Sequence, residues 1–320
     1  MSPATTPTPD VSTLVLAHLV RDGGKDPYAY LDCLEIETSI VDTQTVIRWH
    51  RIGHDATLDR PDTEKLIDKL ICLLVDFACT RQERDEAVLV VKNTGSMQAV
   101  SALHEKARRL FTTSATTGEV GELMLYFLAE HLLKYPQILC KFPLKTNPNV
   151  HAHGADGVHA SVDPGTGHLR LHWGEAKLYQ HLGAAVDDCF SSLSELILEP
   201  RGAKKTKRRD VELLRDYIDL SEPGLEMALR AYLDPDDTMS KKVRFCGLAL
   251  IGFDLADYNA LSKELAKKEA AAVSARVQKW AAKIKASVEK HELIGITIDV
   301  FCIPFPSVEA FRASFLKRLG

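Results

Sequence analysis

No run of apolar residues in this 320-residue chain approaches the ~18 needed to cross a bilayer, which excludes a membrane-spanning helix. Cysteine is sparse and scattered. The seven, at 33, 72, 79, 140, 189, 246 and 302, include no CxxC pair, so neither a disulfide framework nor a thiolate zinc site is expected and a reducing compartment fits. Positive charge is not in excess either: 40 Lys and Arg stand against 44 Asp and Glu, a formal net charge of -4. No whole-molecule field then draws the chain to nucleic acid or anionic lipid, and any such affinity must come from local patches. Glycine is not arranged in a Walker-type or dinucleotide pattern, so a nucleotide-driven motor has to be a different chain. No local Ser/His/Asp or Cys/His signature is recognisable, and no internal repeat is found. The opening MSPATTPTPD lacks both a basic and an apolar region and is expected to be a disordered start rather than a signal peptide, with the cytoplasm as location.

What is present is an ordinary globular composition, 45% hydrophobic and 26% charged, able to bury a sizeable core. Residues 11–20 and 44–51 read as strands from their β-branched content, and AVLVVKN (87–93) as another. Residues 63–80 and 96–111 have helical spacing. From about residue 115 the pattern is clearer: a helix closed by Pro136, strand candidates QILCKFPL and GADGVHASVD, the turn Pro164–Gly167, the strand LRLHWGEAKLY and a helix from His181 to Glu199. A helix ending near 230, an almost wholly apolar strand (Val243–Phe253), one long helix (257–292), a strand ITIDVFCIPFP and a helix capped by Ser307 complete the chain. The expected fold is α/β, a mixed β-sheet flanked by helices, with an N-terminal α/β region at 11–112 and a second region at 113–320.

The strand Leu169–Tyr179 contains an anomaly. Side chains two apart share a face, so Leu169, Leu171, Trp173, Glu175, Lys177 and Tyr179 form one row that turns from apolar to ionic part-way along, while Gly174 and Ala176 keep the other row small. Buried charges need partners or a metal. Asp156, flanked by glycines, lies eight residues before Pro164, and Glu175 lies eight after Gly167. The two carboxylates therefore fall nearly opposite each other across the hairpin, where cross-strand neighbours are ~5 Å apart. Such a pair suits Mg²⁺, or Mn²⁺, with water and a phosphate oxygen completing the shell. Lys177 then supplies a cation beside the metal's water, orienting it or stabilising charge at phosphorus. Glu122, which extends the apolar stripe Tyr126, Ala129, Leu132 and Leu133 backwards, is a candidate third carboxylate. Taken singly, Glu175 and Lys177 read as a structural ion pair, Asp156 as a turn residue and Glu122 as a first-turn acid favoured by the helix dipole; the conjunction carries the catalytic reading.

Asp156 and Glu175-Ala-Lys177, within a helix–strand–hairpin–helix–strand order, resemble the PD-(D/E)xK restriction-endonuclease-like superfamily, with Ala155 where its name has proline. More narrowly, GADGVHASVD…LRLHWGEAKLYQHLGAAVDDCFSSL resembles the nuclease subunit of the Hachiman anti-phage defence system, the HamA-type family; the likeness is best over about 115–320. It implies a restriction-endonuclease-like core, metal-dependent DNA cleavage and a helicase subunit that gates it.

Other readings compete. His151-Ala-His153-Gly-Ala-Asp156 looks superficially like the histidine-rich motif of zinc hydrolases, but its Asp comes one place late and no His follows it. A non-catalytic adaptor that keeps the fold to bind DNA or the helicase is the other alternative. The basic run containing Lys204, Lys205, Lys207, Arg208 and Arg209 is a candidate phosphate-binding segment; its plainer reading is a solvated loop. The lysines on the 257–292 helix are a second such surface.

Overall fold

A computed structural model describes residues 16–20, 27–55, 57–112, 118–141, 154–198, 211–212, 214–220 and 222–320. Strands β1 (Leu31–Ser39), β2 (Thr45–Ile52), β5 (Gly157–Val162), β6 (Leu169–Tyr179), β7 (Val243–Asp254) and β8 (Ile298–Phe305) form one sheet, ordered β1-β2-β8-β7-β6-β5. The two-residue strands β3 (His54–Asp55) and β4 (Arg60–Pro61) pair separately. The four central strands run parallel to one another, and the antiparallel strands β1 and β5 close the edges. The fold is α/β with a mixed sheet, and the N-terminal strands β1 and β2 belong to the same sheet as the hairpin β5–β6.

Both faces are covered. On one, Leu169, Leu171 and Trp173 of β6 pack with helix α6 (Leu182–Ile197) through Val186, Cys189, Phe190 and Leu193. On the other, Ala176 and Leu178 pack with helix α5 (Glu119–Leu128). The second row of β6 is therefore not outward: His172 is fully buried and Ala176 nearly so. Helices α1 (Thr63–Cys72), α2 (Leu74–Ala78), α3 (Arg81–Thr94) and α4 (Gln98–Thr112) build the N-terminal helical layer on the α5 side.

Several expectations are corrected. AVLVVKN is part of helix α3, not a strand. Thr80 and Glu83 form a reciprocal capping box at its start, and Gly95 closes it at φ 72°. Caps at both ends and the helix-forming RQERDE outweigh a short β-branched run, and Val88, Leu89 and Val90 are left exposed. Of the strand expected at 11–20, residues 16–19 form a 3-10 turn that buries Leu16 and Leu19; residues 11–15 lie outside the described residues. QILCKFPL forms only isolated bridges, Gln137 with His159 and Leu139 with Ile218, and its residues from 142 are outside the described set.

The long helix expected at 257–292 is two, α8 (Tyr258–Ala266) and α9 (Ala270–Lys290), broken at Lys268 with φ 57°. Arg276 shows why the break holds. Its guanidinium meets Glu264 at 2.8 Å and Asp257 at 2.6 Å, partners that a continuous helix would place roughly 18 Å or more away. Helix α7 (Pro223–Leu233) precedes β7 and α10 (Val308–Leu319) follows β8, with Ser307 accepting the N–H of Ala310 as anticipated.

Candidate active site

The turn that joins β5 to β6 sets the register. Asp163 accepts the N–H groups of Gly165 and Thr166 at 2.9 and 2.8 Å, and Gly167 takes φ 69°, a conformation glycine adopts without a Cβ penalty. The ladder then runs from Val162–Leu169 to Gly157–Gly174 and stops. At that point the strands part. The N–H of Asp156 donates to the Gly174 carbonyl at 2.7 Å, and its Oδ2 accepts the N–H of Ala176 at 2.9 Å. A carboxylate thus takes a backbone donor that lies past the last ladder pair.

Glu175 and Lys177 continue the row of Trp173. Glu175 is buried, Lys177 is half-buried, and the ammonium donates to Glu175 Oε1 at 2.5 Å. Burial by itself lowers the pKa of this ammonium, but the Glu175 hydrogen bond and the nearby charges of Glu175 and Asp156 outweigh it, so the net shift is upward. Asp156 is half-buried yet closely surrounded by protein; that enclosure, then the charges of Glu175 and of Glu122, raise its pKa to about 7, against the opposing pull of Lys141.

Glu122 arrives from the other layer. Helix α5 is buried all round, Glu119 and Glu122 included, so it has no single apolar stripe as the sequence implied and Glu122 is not a solvated first-turn acid. Two glycines allow the close approach. A Cβ on Gly121 would sit 3.4 Å from Ala176 Cβ, and one on Gly174 would meet Leu125 Cδ2 at 3.0 Å and the Gly157 carbonyl at 3.1 Å.

Asp156, Glu175 and Lys177 are therefore brought together, with Glu122 close enough to act on Asp156. Among the described residues no three His, Cys, Asp or Glu side chains form a group that could hold a metal ion, so any cation here would rest on two carboxylates. The donor set is all carboxylate and crowded enough to hold a proton on Asp156, which suits a hard divalent cation whose remaining positions are water or substrate oxygens. The histidines are disposed differently. His159 Nδ1 hydrogen-bonds with the Tyr135 carbonyl at 2.9 Å, and His172 Nε2 with Ser161 Oγ at 2.7 Å. His151 and His153 lie outside the described residues, as do Lys204, Lys205, Lys207, Arg208 and Arg209.

A family model for HamA matches residues 29–319. The chain belongs to the HamA family. It is accordingly a component of Hachiman anti-phage defence. No curated protein matches the chain. The match begins upstream of β1, so the HamA likeness takes in the N-terminal strands as well as the hairpin. Among the described residues no helix is long and apolar enough to cross a membrane, and all seven cysteines are free thiols.

One contributor to this HamA site escaped the sequence. Lys141 Nζ donates to the Ala155 carbonyl at 2.6 Å and to the Gly154 carbonyl at 3.2 Å, directly before Asp156. It belongs to a segment outside the hairpin, with no periodic signal tying it to Asp156.

Proposed function

We propose that the chain is a metal-dependent nuclease of the PD-(D/E)xK type. It hydrolyses DNA phosphodiester bonds as the effector of anti-phage defence, and a helicase subunit restrains it. The observation that carries this reading is the Asp156 carboxylate on the Ala176 N–H, next to Glu175, where β5 and β6 part, with the Lys177 ammonium on Glu175. Asp156 and Glu175 would hold Mg²⁺ or Mn²⁺, and Glu122 adds its charge nearby. When bound, such a cation polarises the phosphate and lowers the pKa of water.

The chain's own residues supply the rest. Asp156, anchored by the Ala176 N–H, presents its carboxylate from a fixed backbone position. Lys177 is an ammonium at neutral pH, as a lysine ordinarily is, and the Glu175 hydrogen bond keeps it so despite burial. It therefore donates rather than accepts a proton, orienting a water and balancing negative charge that grows on the phosphate oxygens. Water is the nucleophile and no covalent intermediate forms. The basic segment holding Lys204, Lys205, Lys207, Arg208 and Arg209 supplies phosphate contacts in this reading.

The test is cleavage of plasmid and of single-stranded DNA in Mg²⁺ and in Mn²⁺, with the purified chain and with the chain bound to its helicase subunit. Glu175→Ala and Lys177→Ala run beside the parent. Metal-dependent cleavage lost in both variants is the expected result. A parent inert in every arm while still binding DNA or the helicase would establish the adaptor instead, and activity with Zn²⁺ but not Mg²⁺ would favour the hydrolase.

A further inference from the structure

We propose that Lys141 is a positioning residue for the metal-binding carboxylate: its ammonium clamps the peptide that leads into Asp156. The inference rests on the metal-site reading above and adds to it a residue outside the D…ExK pattern.

The ladder between β5 and β6 ends at Gly157 and Gly174. Beyond it the carbonyls of Gly154 and Ala155 need partners, as every enclosed backbone acceptor does. Lys141 bonds both, at 3.2 and 2.6 Å. The next residue, Asp156, is fixed by its own N–H on Gly174 and by the Ala176 N–H on its carboxylate. The peptide is thus held on both sides of the carboxylate-bearing residue, by β6 on one and by Lys141 on the other.

The position of Lys141 is itself secured. Ile138 donates its N–H to the Val158 carbonyl of β5, and the Asp219 N–H donates to the Ile138 carbonyl on the opposite side. The Arg81 guanidinium donates to the Gln137 carbonyl at 3.2 Å, and the Gln137 N–H donates to Glu130 at 2.7 Å. A segment bonded along both edges delivers the ammonium to a set place. The two lysines then divide the work: Lys177 bonds a carboxylate directly, while Lys141 bonds the backbone that aims one.

Groups that orient a metal ligand typically alter metal affinity by ~10- to 100-fold when removed. The experiment is calorimetric titration of the DNA-free full chain with Mn²⁺, comparing the parent, Lys141→Met, Lys141→Arg and Lys177→Met, with the fold of each checked by circular dichroism and melting. The expected result is a Kd weakened by ~10- to 100-fold in Lys141→Met and returned to within about threefold of the parent in Lys141→Arg. If Lys141→Met does not fold, Lys141→Leu, which also lacks a donor, takes its place with the same expected direction.

Parental affinity in a folded Lys141→Met overturns the inference and leaves the metal site standing. Equal loss in Lys141→Met and Lys141→Arg overturns it as well, since the donors would then not be what matters. A parent that takes up no Mn²⁺ brings down the metal-site reading itself.

Discussion

The hairpin β5–β6 carries two groups of enclosed ionisable side chains a few residues apart, and it treats them in opposite ways. Among the described residues His159 and His172 are each buried with a neutral hydrogen-bond partner, a carbonyl for one and a hydroxyl for the other. Burial holds their pKa values at about 4 and about 3, so both are uncharged at neutral pH. At the open end of the hairpin Asp156 and Glu175 are joined by Glu122 from α5, and burial, then the charges of Glu175 and Glu122, raise the pKa of Asp156 to about 7. One group is arranged so that no charge forms. The other gathers acids beside the Lys177 ammonium and leaves one of them strongly perturbed, a combination common at functional sites.

The largest expected effect separates the two groups by activity. Glu175→Gln should lower metal-dependent cleavage by about 10²-fold or more, while His172→Gln should leave cleavage per folded molecule within a few-fold of the parent. Turnover normalised to the folded fraction measures both; a folded His172→Gln as inactive as Glu175→Gln would erase the contrast.

Next comes stability in chelator. The folded pKa of Asp156 lies above its ordinary value of 3.8. The stabilising proton is therefore present in both states below pH 3.8, and the associated stability is lost as pH rises through about 7. At pH 8 Asp156→Asn should be more stable than the metal-free parent by about 2–4 kcal/mol, and adding Mg²⁺ should narrow the gap by stabilising the parent alone. Urea midpoints at pH 5 and pH 8 give the comparison; an Asn variant less stable at pH 8 would show that the acids are not in conflict.

Gly174 stands between the two groups. A methyl there meets Leu125 and the Gly157 carbonyl, so Gly174→Ala should lose about 1–3 kcal/mol, read as a shifted denaturation midpoint. Gly121→Ala, whose nearest contact is an ordinary 3.4 Å, should lose less.

The smallest effect is a slope. Unfolded histidines bind protons near pH 6.5, whereas folded His50, His159 and His172 wait until about 4, 4 and 3. Stability therefore falls as pH drops below 6.5, by about 1.4 kcal/mol per pH unit for each such histidine. Removing His172 should reduce the slope between pH 6 and 4.5 by one proton's worth, and an unchanged slope would mean that it is not buried neutral.

How legible this was depended on the range of the interaction. The turn at Pro164–Gly167, the alternation along Leu169–Tyr179 and the Ser307 cap are local, and each was readable in order. Counting outward from the turn placed Asp156 across from Glu175; the ladder stops at Gly157, and Asp156 bonds Gly174 and Ala176, the residues on either side of Glu175. AVLVVKN misled because β-branched residues mimic a strand while caps outside the run, at Thr80 and Gly95, decided for helix. The break at Lys268 misled because an ion pair between α8 and α9 is invisible to periodicity.

Residue order alone was enough for the α/β alternation, the hairpin register and the placing of Glu175 and Lys177 on one row, since each follows from bonds between near neighbours. Packing alone decided that Glu122 would face Asp156 from the opposite layer, that both rows of β6 would be buried and that Lys141 would reach the peptide before Asp156. Those meetings join segments whose separation along the chain carries no periodic signal, and only the closing of the two layers on the sheet brings them into the same few ångströms.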